Sequence, residues 1–290
     1  MAGLDTASTQ AGEKALGSVR TCYRRLGMRP ETSCAVAAAS AAGLIAAQRI
    51  NAETIIHKGK LDIATGTDLA AEDVVREVLQ RDFPDYAILG EERGGELPAT
   101  GAPYWLVDPL CGTQTFACRI PAFCTNIALV EAGRVSVSAV FDGASNEVYA
   151  AERGGGAHAR RTDRWEALMS KDGSVLAFEL AGKPMFNGSA SALGTLFGRL
   201  VSARRWHVRM LGTTLPFARV ATGEFAGLFL MGRISSPLHT AAGCLLAEEA
   251  GAIVTDAKGK PWDIDTKEFI VAATRALHGE FLEVYRQSFE

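Results

Sequence analysis

The chain has 290 residues, 48% hydrophobic and 22% charged, with a formal net charge of −3. That length and balance allow one or two domains with a sizeable core and exclude a disorder-type composition. The 30 Lys and Arg residues are scattered rather than clustered, so no basic field for nucleic acid or anionic lipid is expected. The expected partner is a small-molecule or carrier-protein-bound substrate, with no nucleic acid and no membrane.

Residues 1–30 mix Gly, Ser, Thr and charge and end in Met28-Arg29-Pro30. They read as an N-terminal extension, with a folded domain of two intimately packed lobes over 31–290. The start lacks the charged and apolar regions of a signal peptide, and no apolar stretch reaches the ~20 residues of a membrane span. Six cysteines without paired metal-type spacing read as reduced thiols, most of them small core residues. A cytoplasmic protein is expected.

Ser33 reads as the N-cap of an Ala-rich helix from Cys34 to about Ile50. A second helix follows Asp68, because Leu69, Val74, Val75, Val78 and Leu79 recur at helical spacing before Phe83-Pro84 stops them. Aromatic and β-branched runs at Tyr104–Val107, Thr125–Val130, Val135–Phe141 and Glu147–Ala151, separated by turn residues, predict an antiparallel meander. The pattern is weakest over 152–175, where Gly154-Gly155-Gly156 reads as a hairpin or loop, since it lacks the Lys-Ser/Thr of a phosphate-binding loop. Alternating β-like and helical segments run to the end, so the fold class is α+β, in layers.

Acids recur at Asp68, in the Gly90-Glu91-Glu92 turn, and at Asp108 on the end of its strand. Hard divalent cations want several oxygen ligands, which strand ends and turns can supply. Taken with their flanks, Asp62-Ile-Ala-Thr-Gly-Thr-Asp68, Ile88-Leu-Gly-Glu91-Glu92, Trp105-Leu-Val-Asp108-Pro-Leu-Cys111-Gly-Thr113 and Pro237-Leu-His239-Thr-Ala-Ala-Gly243, running into Glu248-Glu-Ala-Gly251, resemble the inositol monophosphatase family of magnesium-dependent, lithium-sensitive phosphatases. The resemblance implies a layered αβαβα sandwich, commonly a homodimer. It further implies that Glu91, Asp108 and the backbone carbonyl at Leu110 hold a first magnesium and that Glu91 and Thr113 orient the attacking water. A second magnesium would lie between Asp108 and two further acids, at positions where this chain carries Cys111 and His239.

Two ligands of one ion stand ~3–4 Å apart, so Cys111 and His239 are expected to touch. Ser235-Ser236-Pro237 ahead of Leu238–Ala250, with Gly251 behind, has the N-cap, N1 proline and C′ glycine of a helix. That places His239 in a first turn, which penalises imidazolium by about 0.3–1 kcal/mol and predicts a neutral ring. Cys111, beside Gly112 and Thr113, is expected at an amide-rich turn that stabilises a thiolate.

These features favour Cys111 as nucleophile and His239 as general base in acyl transfer or hydrolysis of a thioester, ester or amide, with Asp108 or Asp68 orienting the imidazole and no cofactor required. The alternative is a metal-dependent phosphomonoesterase acting on a sugar or polyol phosphate. It would use magnesium at Glu91 and Asp108 alone, or zinc held by Cys111, His239 and Asp108. A catalytically silent scaffold is the second alternative. Substrate contacts are expected from Gly112, Thr113, Asp68 and His57, the last standing where family members often carry lysine. The Gly212–Gly223 segment resembles a family segment but lacks its aspartate, a departure that bears on polyol recognition. Cys118 reads as a buried structural thiol rather than a resolving one, and His158, His207 and His278 fall outside every motif.

Overall fold

Pro30 opens the first helix, α1 (Pro30–Arg49), ahead of the expected Ser33 cap. A proline at the first helical position has no N–H to leave unpaired, and its fixed φ already suits the helix. The computed structural model describes residues 27–51, 55–57, 63–99, 101–161, 164–180, 190–232, 234 and 236–289. The first 26 residues of the expected extension, with Cys22, and also Asp62 and Ser235, lie outside the described residues. Arg29 is part of the folded body: its guanidinium donates to both oxygens of Glu131 at 2.8 and 3.1 Å, and its amide reaches Glu152 at 2.7 Å. By length and composition α1 could cross a membrane, contrary to the sequence expectation. Its Ala35, Val36, Ala38, Ala39 and Ala42 are instead buried in a core cluster, the environment of a packed helix.

A two-stranded antiparallel ribbon, β1 (Ile55–His57) and β2 (Ile63–Thr65), leads into α2 (Gly66–Asp82). Thr65 caps α2 in a reciprocal capping box with Asp68, which begins the helix two residues before Asp68 rather than after it. Next comes a seven-stranded sheet in chain order: β3 (Ala87–Gly90), β4 (Tyr104–Cys111), β5 (Cys124–Glu131), β6 (Arg134–Asp142), β7 (Glu147–Glu152), β8 (Gly156–Arg161) and β9 (Arg164–Ala167). A short helix, α3 (Thr113–Ala117), interrupts it after β4. Only β3 and β4 run parallel; the rest is the expected meander. Strands β8 and β9 occupy the stretch where the pattern was weakest, because only Ala157 and Ala159 on them are buried. The glycine run turns the β7–β8 hairpin, and the amides of Gly154 and Gly156 donate to Glu249.

The second half supplies β10 (Val175–Leu180), α4 (Ala190–Ser202), β11 (His207–Arg209), α5 (Pro216–Ala221), β12 (Phe225–Met231), α6 (Ala241–Glu249), β13 (Ile253–Asp256), β14 (Phe269–Ala272) and α7 (Arg275–Phe289). Its five strands lie in the order β11-β10-β12-β14-β13.

Three core clusters stack these parts into layers. α1 and α2 cover one face of the seven-stranded sheet through Val36, Val75, Trp105 and Ile127. The other face meets α5 and α6 through Leu215, Ala218, Leu245 and Leu246. The same two helices turn Phe217, Val220, Cys244 and Ala247 to the five-stranded sheet, whose far face carries α4 and α7 through Leu196, Leu200, Leu277 and Phe281. The result is the αβαβα sandwich. A helix packed on both sides must be apolar nearly all round, which is why α6 shows no polar stripe. At roughly 1.5–3 kcal/mol for each fully buried large apolar side chain, this shared middle layer fixes the two sheets against each other.

Candidate functional site

The end of β4 is where the fold departs from regular geometry. Asp108 pairs with Asn126 and Cys111 with Cys124, so three steps on β4 match two on β5. On a regular strand, side chains three apart point to opposite faces. The extra residue of this bulge turns Cys111 to the same face as Asp108, toward the middle helices, and leaves Leu110 in a small cluster with Phe116 and Phe123. Pro109 fits there because a bulge relieves the strand of one ladder hydrogen bond that proline cannot donate. Gly112 follows with a φ of 102°, where a Cβ would come within 2.9 Å of the Ala122 carbonyl oxygen.

His239 comes from the middle layer. It ends a short 3-10 turn, Pro237–His239, whose Leu238 amide is capped by the Ser236 hydroxyl, and α6 begins only after Thr240. The single helix expected over 238–250 is therefore two pieces, and His239 is not in the first turn of an α-helix. Its Nδ1 lies 2.8 Å from Asp108 Oδ2 and 4.0 Å from Glu91 Oε2. Donor atoms of Asp108, Cys111 and His239 all lie within 4.8 Å of one another, so Cys111 and His239 are neighbours, as expected. The other oxygen of Asp108, Oδ1, is wholly buried and has no hydrogen-bond partner among the described residues.

The charges around this cluster oppose the nucleophile reading. Cys111 is buried, and its thiol is pushed well above the ordinary range, first by the neighbouring Cys124 and then by burial; His239 offsets only part of this. Reactive thiolates sit in electropositive, partly exposed places, and this one does not. Burial works against a charged His239, but Asp108, Cys111 and Glu91 together outweigh it and hold the imidazole well above its usual value, so the neutral ring expected from a helix start is not found. Burial, and then the neighbouring Cys111, lift Asp108 to about 7, with His239 and then the Glu91 side chain drawing it down. Both partners thus favour their protonated forms; as the two donor atoms are 2.8 Å apart, one proton shared between them is the state the geometry supports.

Sequence reasoning found Glu91, Asp108, Leu110, Cys111, Gly112, Thr113 and His239, and the fold brings them together. Thr113 donates toward Asp68 Oδ1 and the Leu110 carbonyl, each at 3.0 Å. Asp68 is fully buried, and its other oxygen is taken by the Thr65 amide and hydroxyl. It therefore reaches the site through Thr113 instead of facing a substrate or orienting His239. His57 is exposed at the turn end of the β1–β2 ribbon, opposite Ile63, two residues beyond the pair that joins the ribbon to Thr65. Cys118 is exposed at the end of α3, not buried as expected, while the described cysteines are all free thiols.

Several supporting residues were not foreseen. Glu72, fully buried on α2, accepts from the Glu92 amide at 2.6 Å, the Arg93 amide at 3.1 Å and Arg76 at 2.8 Å, which fixes the turn carrying Glu91. Thr214 presents its hydroxyl to Cys111 Sγ at 3.0 Å and its amide at 3.4 Å. Asn126 donates to Thr214 Oγ1 at 3.0 Å and to the His239 carbonyl at 3.4 Å. An asparagine on the inward face of the apolar run Cys124–Val130 was a usable signal, because a buried amide needs partners.

A profile of the inositol monophosphatase family matches residues 28–290. The chain belongs to the inositol monophosphatase family. It is 35% identical over 239 residues to the Nus factor SuhB of Escherichia coli K12, covering 80% of this chain and 87% of that one. It is also 37% identical over 205 residues to the inositol-1-monophosphatase of Rhizobium meliloti, covering 70% and 75%. Among solved structures, the Thermotoga maritima IMPase superposes with a TM-score of 0.74 at 26% identity, over 87% of this chain and 95% of that one. Family membership makes the protein a hydrolase of the phosphatase kind. It also overturns the expectation that no cofactor is required, since this is a family of magnesium-dependent phosphatases. The residues at the first cation position fit such a group: Asp108 offers a buried, unpartnered oxygen, with Glu91 and the Leu110 carbonyl at the same corner of the fold.

Proposed function

We propose that this protein is a metal-dependent phosphomonoesterase acting on a sugar or polyol phosphate, and that its reaction does not pass through an acyl-cysteine. The observation that carries the reading is Asp108 Oδ1. A carboxylate oxygen sealed from water without a donor costs several kcal/mol unless a cation meets it. Glu91, Asp108 and the Leu110 carbonyl would hold that cation. When bound, such an ion polarises a phosphoryl oxygen and makes its own water more acidic.

The chain's residues supply the rest. Thr113 stands next to Leu110 with its hydroxyl tied to Asp68, so that Asp68 can draw a proton through Thr113 from a water placed against the phosphorus. Glu72 keeps the Glu91 turn from moving as the substrate arrives. While no ion stands between them, the His239–Asp108 pair adds a proton donor close to where a leaving alkoxide would form. A cytoplasmic homodimer remains part of this proposal.

The test is phosphate release from a panel of sugar and polyol phosphates with magnesium, manganese or zinc added to the chelated protein, in wild type and Asp108→Asn. Metal-dependent release lost in Asp108→Asn supports the reading. Release from no substrate under any metal, alongside cleavage of a thioester or ester that Cys111→Ala abolishes, would falsify it.

A further inference from the structure

The cluster of Asp108, Cys111 and His239 offers one oxygen, one sulfur and one imidazole nitrogen. Magnesium demands a near-octahedral shell of oxygens and gains little from sulfur or nitrogen. A borderline or soft ion of the zinc class takes that mixed set, commonly three protein ligands with one position left open. We propose that these three side chains form a binding site for a zinc-class transition ion, so that this protein's second cation position has changed metal rather than lost it. The inference deepens the phosphomonoesterase reading and rests on it only for what the ion would then assist.

Two features of the surroundings support it independently of the donor types. Asp108 is fully buried and its Oδ2 stands 2.8 Å from His239 Nδ1, so an ion bound between these two atoms would take the place of the proton they share, leaving Oδ1 for the first cation position. The second feature is the polar setting of Cys111. The His239 carbonyl can only accept, so the Asn126 atom facing it is the amide nitrogen, and the same nitrogen donates to Thr214 Oγ1. The Thr214 hydroxyl lies 3.0 Å from Cys111 Sγ, where either atom can donate, and the Thr214 amide donates to the same sulfur at 3.4 Å. Once the thiol proton is lost to an ion, both Thr214 groups can donate to the bound thiolate. One residue, Asn126, thus ties together the supports of both new ligands.

Donors on a tetrahedral zinc-class ion stand roughly 3.3–3.6 Å apart at normal bond lengths. The three donor atoms already lie within 4.8 Å of one another, with His239 Nδ1 and Asp108 Oδ2 at 2.8 Å. Binding displaces to solvent the thiol proton of Cys111 and the proton shared by Asp108 and His239, and forms one bond from the ion to each of the three side chains, with no change of oxidation state.

The test loads the chelated full-length protein with cobalt(II), then with zinc, and follows metal content, the thiolate-to-cobalt charge-transfer absorption and affinity by competition with a chromophoric chelator. One ion per chain is expected, with the charge-transfer band present. In Cys111→Ser the band should vanish, and in Cys111→Ser and His239→Ala zinc affinity should fall by at least about tenfold, the scale on which even outer partners act. Cys111→Asp combined with His239→Asp should move the preference from zinc to magnesium. A wild-type protein that binds cobalt without the band, or variants that bind zinc as tightly as wild type, overturns the proposal, and the wild-type spectrum decides the matter even if a variant fails to fold. Phosphate release with magnesium in a protein that takes up no zinc sinks this inference and leaves the phosphatase reading standing. Stoichiometric zinc bound through Cys111, without phosphate release under any metal, does the reverse.

Discussion

Thr113 and Asp68 join the start of α3 to the start of α2 through a single hydrogen bond of 3.0 Å. Asp68 has no freedom to adjust, since the Thr65 amide at 2.7 Å and hydroxyl hold its other oxygen in the capping box. The Thr113 hydroxyl is therefore aimed by a helix cap, and the hydroxyl is what the proposed reaction uses. Thr113→Ala is expected to lower kcat for phosphate release by about 10²–10⁴-fold, the range of a lost proton-transfer group, while Thr113→Ser stays within about tenfold of wild type. Steady-state kinetics on the two variants check this. Equal rates for alanine and serine would show that the hydroxyl has no part in the chemistry.

Much of this was open to sequence reading, and the remainder shows where one-dimensional spacing stops being informative. The meander was legible because β5, β6 and β7 each carry an apolar run ended by turn residues. The site's acids and Thr113 were legible through motif resemblance. The bulge was not: residues 108 and 111 on one strand imply opposite faces, and only the pairing with Asn126 and Cys124 shows that they share one. The break between His239 and Ala241 was hidden because Ser236, Pro237 and Gly251 mark the ends of a helix without saying whether it is continuous. Nothing in the sequence marks Glu72, since its burial depends on a turn 20 residues away that folds onto it.

Glu72 should be a stability determinant as well as a support for Glu91. Glu72→Ala would leave the buried end of Arg76 and the amides of Glu92 and Arg93 without their acceptor. Removing one partner of a buried pair costs about 3–5 kcal/mol, so a clear fall in the denaturation midpoint is expected. Metal affinity should fall with it, because the Glu91 turn loosens. Glu72→Gln keeps an acceptor for one of the amides and should lie between the two. A wild-type midpoint for Glu72→Ala would contradict the role.

Gly112 carries the chain from Cys111 into α3 with a φ of 102°, and a Cβ there would meet the Ala122 carbonyl oxygen at 2.9 Å and Thr213 Cβ at 3.1 Å. Gly112→Ala combines backbone strain of about 1–3 kcal/mol with this crowding. At roughly 2–4 °C per kcal/mol for a domain of this class, strain alone should lower Tm by roughly 2–12 °C, with the crowding adding to it. Gly154 has a similar positive φ of 76° with nothing near its Cβ, so Gly154→Ala provides the strain alone and should cost less. Comparing the two melting curves isolates the packing part, which equal shifts would remove.

Glu179 should make stability depend on pH in a direction opposite to that of an ordinary paired carboxylate. It is buried at the end of β10 and accepts from the Leu211 and Gly212 amides at 2.6 and 2.9 Å, just ahead of the threonines that hold Cys111. Burial outweighs those two bonds and lifts its carboxyl from 4.5 to about 7. A folded pKa above the unfolded one means that the folded state binds the proton more tightly. The associated stability is complete below about pH 4.5 and is lost as pH rises through about 7. A rise of that size corresponds to roughly 3–4 kcal/mol at most. Thermal melts of wild type and Glu179→Gln across this window separate the effect from the titration of Asp108 and His239, which both proteins share. The wild-type midpoint should fall relative to the glutamine variant between pH 5 and 8, because a neutral amide keeps an acceptor for the 211–212 turn and has no charge to bury. Parallel curves would show that Glu179 is already ionised in the folded protein, with its two amide bonds sufficient to hold the charge.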